Sequence, residues 1–266
     1  MPNIHLYTTF YNEEKPLRRQ ELLTCLEKNL SNTALSSVTV FNERADLSKW
    51  ENPKLKLVPI ESRPTYQDFI NYINEATDGD DIHIIANTDI YFEESINILK
   101  YINLHNTCLA LSRWDTTDIK KPQLYNHNDS QDVWIFKGQI KSTLKADFPL
   151  GVPRCDNRFM YELRQAGYCV LNPAFSIKSL HIHKGQRAIV YTEDDNIYKI
   201  PPPYRYLYPH NMFGFWKTLV FNLAHQEKLS SYHYDIKKIN LWWPVRLVRK
   251  SLELILQKKM RLIGYE

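Results

Sequence analysis

Three groups of residues in this 266-residue sequence have the types and spacing of catalytic or ligand-binding side chains. The first group is Asn87-Thr88-Asp89, which follows Ile82–Ala86, a continuous apolar run typical of a buried parallel strand. Side chains two positions apart can face one pocket, and oxygen donors with open positions suit Mg²⁺ or Mn²⁺. Because Asn and Asp are also ordinary turn residues, a turn or helix-cap role is the alternative.

The second group alternates histidine with apolar residues at the end of a predicted strand. His181 and His183 would project to one face, where an imidazole can complete the ligand shell of a metal ion. Lys184 or Arg187 is then close enough in sequence to neutralise a diphosphate. Two histidines on a strand are often surface or structural groups, so the metal hypothesis depends on their occurrence together with Asp89.

The third group lies in residues 148–159, where a turn rich in Gly and Pro leads into a predicted helix. Asp156 is expected at or near the helix N-cap, and two roles remain open for it. It can cap backbone N–H groups, which stabilises a helix by about 1 kcal/mol. It can also act as the base that deprotonates an acceptor hydroxyl. Asp132, at the start of an apolar segment, is the substitute base if Asp156 only caps.

The elements that must position these groups alternate between strands and helices. The predicted strands are 4–9, 37–41, 54–60, 82–86, 108–112, 131–136, 169–171 and 175–180. The predicted helices are 16–30, 65–76, 93–103 and 155–166, the last ending at Gly167. This order favours an α/β fold with a mixed, mostly parallel sheet flanked by helices. Ligands in such folds bind beyond the carboxyl ends of strands, where Asn87-Thr88-Asp89 lies.

Composition and charge exclude several classes of protein. Apolar residues make up 43% of the chain and charged residues 24%, as in globular proteins. The sequence contains no run of about 18 apolar residues, the length that a membrane-spanning helix needs, and its first residues do not resemble a signal peptide. The four cysteines lack C-x-x-C spacing, which favours reduced thiols in the cytoplasm. Net charge is +4, but residues 235–266 carry eight basic residues against three acidic ones, so the nearly neutral body argues against nucleic-acid binding.

The basic end of the chain contains a predicted amphipathic helix at 241–262. It begins near a tryptophan pair, Trp242-Trp243, and carries cations along one face. Such a helix can lie on an anionic membrane surface and bring the protein to a lipid-linked acceptor. Packing on the catalytic domain or in a dimer is the alternative. We therefore expect a cytoplasmic protein that binds peripherally to the inner face of the membrane.

In their order along the chain, these segments resemble GT-A-type glycosyltransferases, and most of all small enzymes of bacterial and large-virus polysaccharide loci. The resemblance covers roughly residues 3–209. The segments that carry it are Thr8-Thr9-Phe10-Tyr11-Asn12, Asn87-Thr88-Asp89-Ile90-Tyr91-Phe92, Leu111-Ser112-Arg113-Trp114, Ser130-Gln131-Asp132-Val133-Trp134-Ile135-Phe136, Leu150-Gly151, Cys155-Asp156-Asn157 and His181-Ile182-His183.

The resemblance implies a Rossmann-like catalytic domain at 1–210, with a nucleotide-sugar-binding half at 1–104 and an acceptor half at 105–210. The charge and pattern of the remaining residues, 211–266, predict a helical basic extension. It implies Mn²⁺ or Mg²⁺ on the donor diphosphate, held by Asp89 and a late histidine. Asn87 replaces the usual first aspartate of that motif, which removes one charge. The residues that it places around the donor are Thr8, Phe10, Tyr11, Asn42, Glu43, Arg63, Thr88, Lys184 and Arg187. Arg113 and Trp114, which follow the predicted strand 108–112, could bind the acceptor or the donor sugar, Trp114 through its flat apolar face. Asn157 is expected beside the acceptor.

The sequence thus predicts a metal-dependent, inverting transfer of sugar from a nucleoside-diphosphate sugar to a carbohydrate or lipid-linked saccharide, in surface glycan synthesis. A sugar nucleotidyltransferase is one alternative. Such an enzyme is expected to have a Gly-rich phosphate-binding loop near the first strand, and residues 8–14 contain no glycine. The other alternative is a non-catalytic carbohydrate-binding or assembly protein, in which the Asp and His groups are structural.

Overall fold

The structure is a computed structural model that describes residues 1–76, 79–116, 122–182, 199–213 and 216–218, with the single positions 220, 248, 251 and 255. The strands are β1 (Ile4–Tyr11), β2 (Ser37–Glu43), β3 (Leu55–Pro59), β4 (Ile82–Ala86), β5 (Ile90–Phe92), β6 (Thr107–Leu111), β7 (Trp114–Thr116), β8 (Gln123–Leu124), β9 (Val133–Lys137), β10 (Cys169–Leu171) and β11 (Ser179–Ile182). The helices are α1 (Pro16–Ser31), α2 (Tyr66–Ala76) and α3 (Cys155–Gln165), and Glu94–Tyr101 forms a 3₁₀ helix.

Seven strands form a mixed sheet in the order β10-β6-β9-β4-β1-β2-β3. Strands β1 to β4 are parallel, while β9 runs antiparallel between β4 and β6. Parallel strands need crossover connections. Helix α1 lies in the connection from β1 to β2 and α2 in that from β3 to β4, whereas residues 44–54 connect β2 to β3 without a helix. The predicted fold, a mixed and mostly parallel sheet flanked by helices, is confirmed.

Apolar side chains cover both faces of this sheet. All five residues of β4 are buried, as its continuous apolar sequence predicted. On one face, Leu6 of β1 belongs to the same core cluster as Leu22 and Leu26 of α1. On the other face, Tyr7 belongs to a cluster with Phe69 of α2 and other aromatic side chains. Because burying one such side chain contributes about 1.5–3 kcal/mol, the two clusters hold the helices on the sheet.

A second, four-stranded sheet in the order β5-β11-β7-β8 was not predicted. The strand expected at 175–180 was placed wrongly, because the N–H groups of Ser176 and Ile177 both donate to the carbonyl of Pro173 in a turn. The strand begins at Ser179 instead. Likewise, the helix expected at 93–103 is the shorter 3₁₀ segment. Strand β11 pairs antiparallel with β5 and parallel with β7, so it joins the regions around Asp89 and Asp115.

Two further expectations concern cysteines and membranes. All four cysteines are free thiols, and three of them are buried. In the described part of the chain, no helix is long and apolar enough to cross a membrane. The amphipathic helix predicted at 241–262 lies outside the described residues, apart from Val248, Ser251 and Ile255.

A buried histidine gives the fold a pH-dependent stability. His83 of β4 is 2% exposed, and its Nδ1 lies 3.2 Å from the Tyr7 hydroxyl. Burial lowers the pKa of His83 to about 4, the neighbouring His5 adds to this, and Asp81 opposes it. The unfolded chain takes up this proton near pH 6.5, whereas the folded chain does so only near pH 4. Stability is therefore lost as the pH falls between these values.

Replacing His83 with glutamine should remove this dependence while keeping a partner for Tyr7. Between pH 7 and pH 4.5, we expect the free energy of unfolding of the wild type to fall by about 2–3 kcal/mol more than that of His83→Gln. Urea denaturation at both pH values measures the difference. His105→Gln, at an exposed histidine, is the control and should follow the wild type. Equal pH dependence in the wild type and His83→Gln would contradict the prediction.

Candidate functional site

A cleft of about 890 Å³ opens where β1 and β4 end and β9 begins. The amino-terminal turns of α1 and α3 also line it. This is the position that the fold predicts for a ligand, because the parallel strands direct their carboxyl ends to this edge.

Nine of the residues predicted for the site line this one cleft. They are Tyr11, Arg63, Asn87, Thr88, Asp89, Arg113, Asp132, Asp156 and Asn157. They come from separate stretches of the chain, from the end of β1 to the start of α3. The structure therefore brings the predicted donor, acceptor and catalytic residues to one place.

Six other predicted residues do not line the cleft, namely Thr8, Phe10, Asn42, Glu43, Trp114 and His181. Thr8 and Phe10 are buried, and alternation along β1 puts Thr9 and Tyr11 on the cleft instead. Asn42 makes two 2.9 Å hydrogen bonds with Ala45 in a turn.

Trp114 is buried, and its indole N–H donates to the carbonyl of Ala174 at 2.8 Å. His181 lies behind Asp89, within contact of its carboxylate. The predicted residues His183, Lys184 and Arg187 lie outside the described residues.

Asp89 and His181 form a buried pair. Asp89 is 4% exposed and His181 is 2% exposed. The Nε2 atom of His181 lies 3.1 Å from Oδ2 of Asp89, and its Nδ1 lies 2.8 Å from Oδ1 of Asp115. Strand pairing sets these contacts, because His181 stands opposite Ile90 on β5 and opposite Asp115 on β7. Burial would lower the pKa of His181, but the Asp89 and Asp115 carboxylates together raise it.

The donor chemistry of this pair fits a divalent cation. Two neighbouring ligands of an octahedral ion with bonds of about 2.1 Å lie about 3.0 Å apart, close to the separation of Oδ2 and Nε2 here. Asp115 also accepts from the far side of the imidazole, as carboxylates behind metal-bound histidines do. Among the described residues, no three His, Cys, Asp or Glu side chains form a metal-binding group. Water and substrate phosphate would supply the remaining ligands, as is usual for Mg²⁺.

Arg113 connects the acidic residues of the site. Its Nε donates to Asp115 Oδ1 at 2.9 Å, and one terminal nitrogen donates to Asp132 Oδ2 at 3.1 Å. Its guanidinium lies over the Tyr125 ring, 4.4 Å from the centroid. The other Asp132 oxygen accepts from the amide of Asn87 at 2.7 Å. Both Asp132 oxygens therefore accept hydrogen bonds from side chains, and one of these side chains is a cation.

Asp156 lies in the first turn of α3, whose N-cap is Arg154 in the left-handed conformation with φ 71°. It is partly exposed and lines the cleft. Its oxygens accept from the N–H of Asn157 at 2.9 Å and from the N–H of Gln131 at 3.3 Å. Burial raises the pKa of Asp156 to about 7, and the Asp132 charge adds to the rise, while the hydrogen bonds from these two N–H groups oppose it. A carboxyl group with this pKa exchanges protons readily near neutral pH.

Sequence reasoning missed two residues at the centre of the site. Arg18 of α1 contacts Asp89 Oδ2 and donates to Glu21 at 2.9 Å. Thr9 shares a 2.6 Å hydrogen bond with Thr88. The alternation of side chains along β1 is a signal that would have found Thr9. Arg18 has no such local signal, since its role depends on where α1 lies on the sheet.

Comparisons with known proteins give similarity of fold. No protein-family model matches the sequence, and no curated protein matches it. The structure is similar to the mannosyltransferase PcManGT of Pyrobaculum calidifontis, solved with GDP-Man and Mn²⁺, at 14% identity and a TM-score of 0.48, covering 100% of this chain and 88% of that one. It is similar to S. aureus TarS, solved with UDP-GlcNAc, at 12% identity and a TM-score of 0.46, covering 71% and 61% of the two chains.

A Bacillus anthracis protein assigned as a glucose-1-phosphate thymidylyltransferase is also similar, at 7% identity and a TM-score of 0.40, covering 68% of this chain and 86% of that one. Solved structures with this fold thus include GT-A-type nucleotide-sugar glycosyltransferases, the group that the sequence resembles, together with nucleotidyltransferases. At these identities the similarity concerns the fold alone.

Replacing Arg113 with methionine should destabilise the protein by about 2–4 kcal/mol, because it leaves the mostly buried Asp132 without its cation and removes one of the two cations beside Asp115. Arg113→Lys should lose less, since one ammonium can keep one of the two pairs. Urea denaturation at pH 7 measures both variants. The exposed Arg205 offers a matched control, because Arg205→Met removes the same charge at the surface and should change stability by less than about 0.5 kcal/mol. Equal losses at positions 113 and 205 would exclude a special role for Arg113.

Proposed function

We propose that this protein is a glycosyltransferase that moves a sugar from a nucleoside-diphosphate sugar to a hydroxyl group of a carbohydrate or lipid-linked saccharide. The observation that carries this proposal is one cleft holding two complementary groups. Asp89 lies at one wall with His181 directly behind it, and we propose this pair as the cation site. Asp156, with a pKa near 7, lies at another. Glycosyl transfer to a hydroxyl needs both functions, since charge leaves with the diphosphate and a proton leaves the acceptor.

On the donor side, Asp89 and His181 would hold Mn²⁺ or Mg²⁺, with Asp115 fixing the imidazole. The bound ion supplies positive charge to the departing diphosphate. Tyr11 and Arg63, which line the cleft, are the residues we propose for the nucleoside.

Glu43, at the end of β2 and behind the cleft surface, is the third residue that we propose for the nucleoside. Its buried Oε1 has no hydrogen-bond partner among the described residues. Burial raises the pKa of Glu43, and the Arg63 charge opposes this rise. A nucleobase N–H is a fitting donor to that oxygen, because a buried acceptor without a partner costs about 1–3 kcal/mol. Thr8, Phe10 and Asn42 would then support the nucleoside wall from behind rather than by direct contact.

On the acceptor side, Asp156 would accept the proton of the attacking hydroxyl. The hydroxyl oxygen forms the new bond to the anomeric carbon as the bond from that carbon to the diphosphate breaks. Attack from the side opposite the leaving group inverts the configuration. Asn157 and Arg113 line the same part of the cleft and would orient the acceptor. Lys184, Arg187 and the segment 241–262 remain proposals for the diphosphate and for an anionic membrane surface.

The loop between β1 and α1 disfavours a nucleotidyltransferase. Such an enzyme must hold a nucleoside triphosphate, which a Gly-rich loop does through its backbone N–H groups. Here that loop has no glycine, and it places Glu13 at the cleft, where the Glu13 carboxylate accepts from the N–H of Lys15 at 3.0 Å.

Calorimetry with UDP and GDP, with and without Mn²⁺, tests the donor side. We expect the wild type to bind one of the two at least about tenfold more tightly with Mn²⁺, a gain of about 1.4 kcal/mol. Asp89→Ala should lose this gain because it removes a ligand of the ion. Asp80→Ala, at a carboxylate with 91% of its side chain exposed, should keep it. If the wild type binds neither UDP nor GDP, with or without Mn²⁺, the result would favour the alternative of a non-catalytic carbohydrate-binding protein.

Asp156→Asn should reduce sugar transfer by about 10²–10⁴-fold, because it removes the general base. In the wild type, kcat/KM should fall about tenfold per pH unit below pH 7, since protonated Asp156 cannot accept the acceptor proton. Asp129→Asn should keep activity and move this acid limb to lower pH, because the Asp129 charge helps to raise the pKa of Asp156. The test measures kcat/KM from pH 5 to pH 9 for the wild type, Asp156→Asn and Asp129→Asn. If Asp156→Asn transfers sugar at the wild-type rate, Asp156 is not the general base, but the proposed glycosyltransferase activity still stands.

A further inference from the structure

Arg18 occupies the centre of the proposed donor site. It lies in the first turn of α1 and lines the cleft. Its guanidinium contacts Asp89 Oδ2 and donates to Glu21 Oε2 at 2.9 Å. Glu21 is 3% exposed, so the arginine is anchored from below by a buried carboxylate. Burial raises the pKa of Tyr11 at the cleft wall, and the nearby Arg18 charge opposes this rise.

Arg18 contacts the same carboxylate oxygen that faces His181. Oδ2 of Asp89 lies 3.1 Å from His181 Nε2, and it is also the atom that Arg18 contacts. A guanidinium and a divalent cation in contact with one oxygen would repel each other strongly in a partly buried site. The two cations therefore compete for Asp89.

We propose that Arg18 is an internal cation that holds Asp89 until a metal ion and a nucleoside diphosphate bind together, and that Arg18 then pairs with the diphosphate. This inference rests on the proposed function. The diphosphate gives Arg18 a new anionic partner inside the cleft, while Glu21 keeps the arginine in reach. Arginine suits this exchange because its planar guanidinium presents five donors and matches phosphate oxygens. Metal should therefore bind weakly alone and much more tightly beside the nucleotide, and the coupling must be reciprocal.

The test is a calorimetric titration of Mn²⁺ into nucleotide-free wild type, Arg18→Gln and Arg19→Gln. Arg19 is the matched control, because it is the next residue of the same helix, is exposed, and loses the same charge. We expect Arg18→Gln to bind Mn²⁺ alone at least about tenfold more tightly than the wild type, since the competing cation has gone. Arg19→Gln should stay within about twofold, because its charge is screened by solvent.

A second titration repeats the measurement with saturating UDP or GDP. In the wild type the nucleotide should strengthen Mn²⁺ binding, and in Arg18→Gln this strengthening should be at least about tenfold smaller. If Arg18→Gln binds Mn²⁺ alone no more tightly than Arg19→Gln, the proposal is wrong. If neither nucleotide binds the wild type, the proposed function fails, while the titrations with Mn²⁺ alone still decide whether Arg18 competes for Asp89.

Removal of Arg18 alone leaves the buried Glu21 without this partner and could destabilise the fold. A second pair of variants therefore controls for misfolding. Arg18→Gln/Glu21→Gln removes both charges, and its reference is Glu21→Gln alone. Thermal unfolding shows that each variant is folded before titration. The double variant should again bind Mn²⁺ at least about tenfold more tightly than its reference. Equal affinities in this second pair would overturn the proposal.

Discussion

The carboxylate of Asp89 is almost fully buried, and its neutralisation organises the rest of the site. An isolated buried carboxylate costs several kcal/mol, so the fold must bring cations to it. Arg18 reaches it from α1 and His181 reaches it from β11. These two residues are 163 positions apart in the chain, so the charge can be neutralised only when both sheets and α1 are in place. The small second sheet is thus as necessary to the site as the large one.

From Asp89 the charges alternate in sign across the cleft. His181 lies between Asp89 and Asp115, and Arg113 lies between Asp115 and Asp132. Each of these carboxylates has a cation beside it. Asp156 has none in this series, because its partners are backbone N–H groups and its charged neighbours are carboxylates. The fully paired carboxylates suit ligand binding, and the unpaired one, with its pKa raised toward neutrality, suits proton transfer.

The large sheet could be predicted because its signals are local. Strand β4 was predicted at its observed bounds, since a continuous apolar run needs no knowledge of its neighbours. The second sheet could not, because β5, β7 and β8 are only two or three residues long and owe their existence to pairing with distant segments. The prediction for Trp114 shows the same limit. Its flat ring suits a sugar, but whether that ring faces the cleft or Ala174 is decided by β7 pairing with β11.

The replacement of the expected aspartate by Asn87 has a physical cause in the structure. The Asn87 amide donates to Asp132 at 2.7 Å. An aspartate at position 87 would set a carboxylate against Asp132 at this distance, and two carboxylates so close cannot both be ionised without a large cost. The Asn87 side chain supplies a hydrogen-bond donor to Asp132, whereas an aspartate carboxylate there would repel it. The negative charge that position 87 lacks is instead carried by Asp132, just before the neighbouring strand β9, so the loss of one charge from the motif leaves this wall of the cleft acidic.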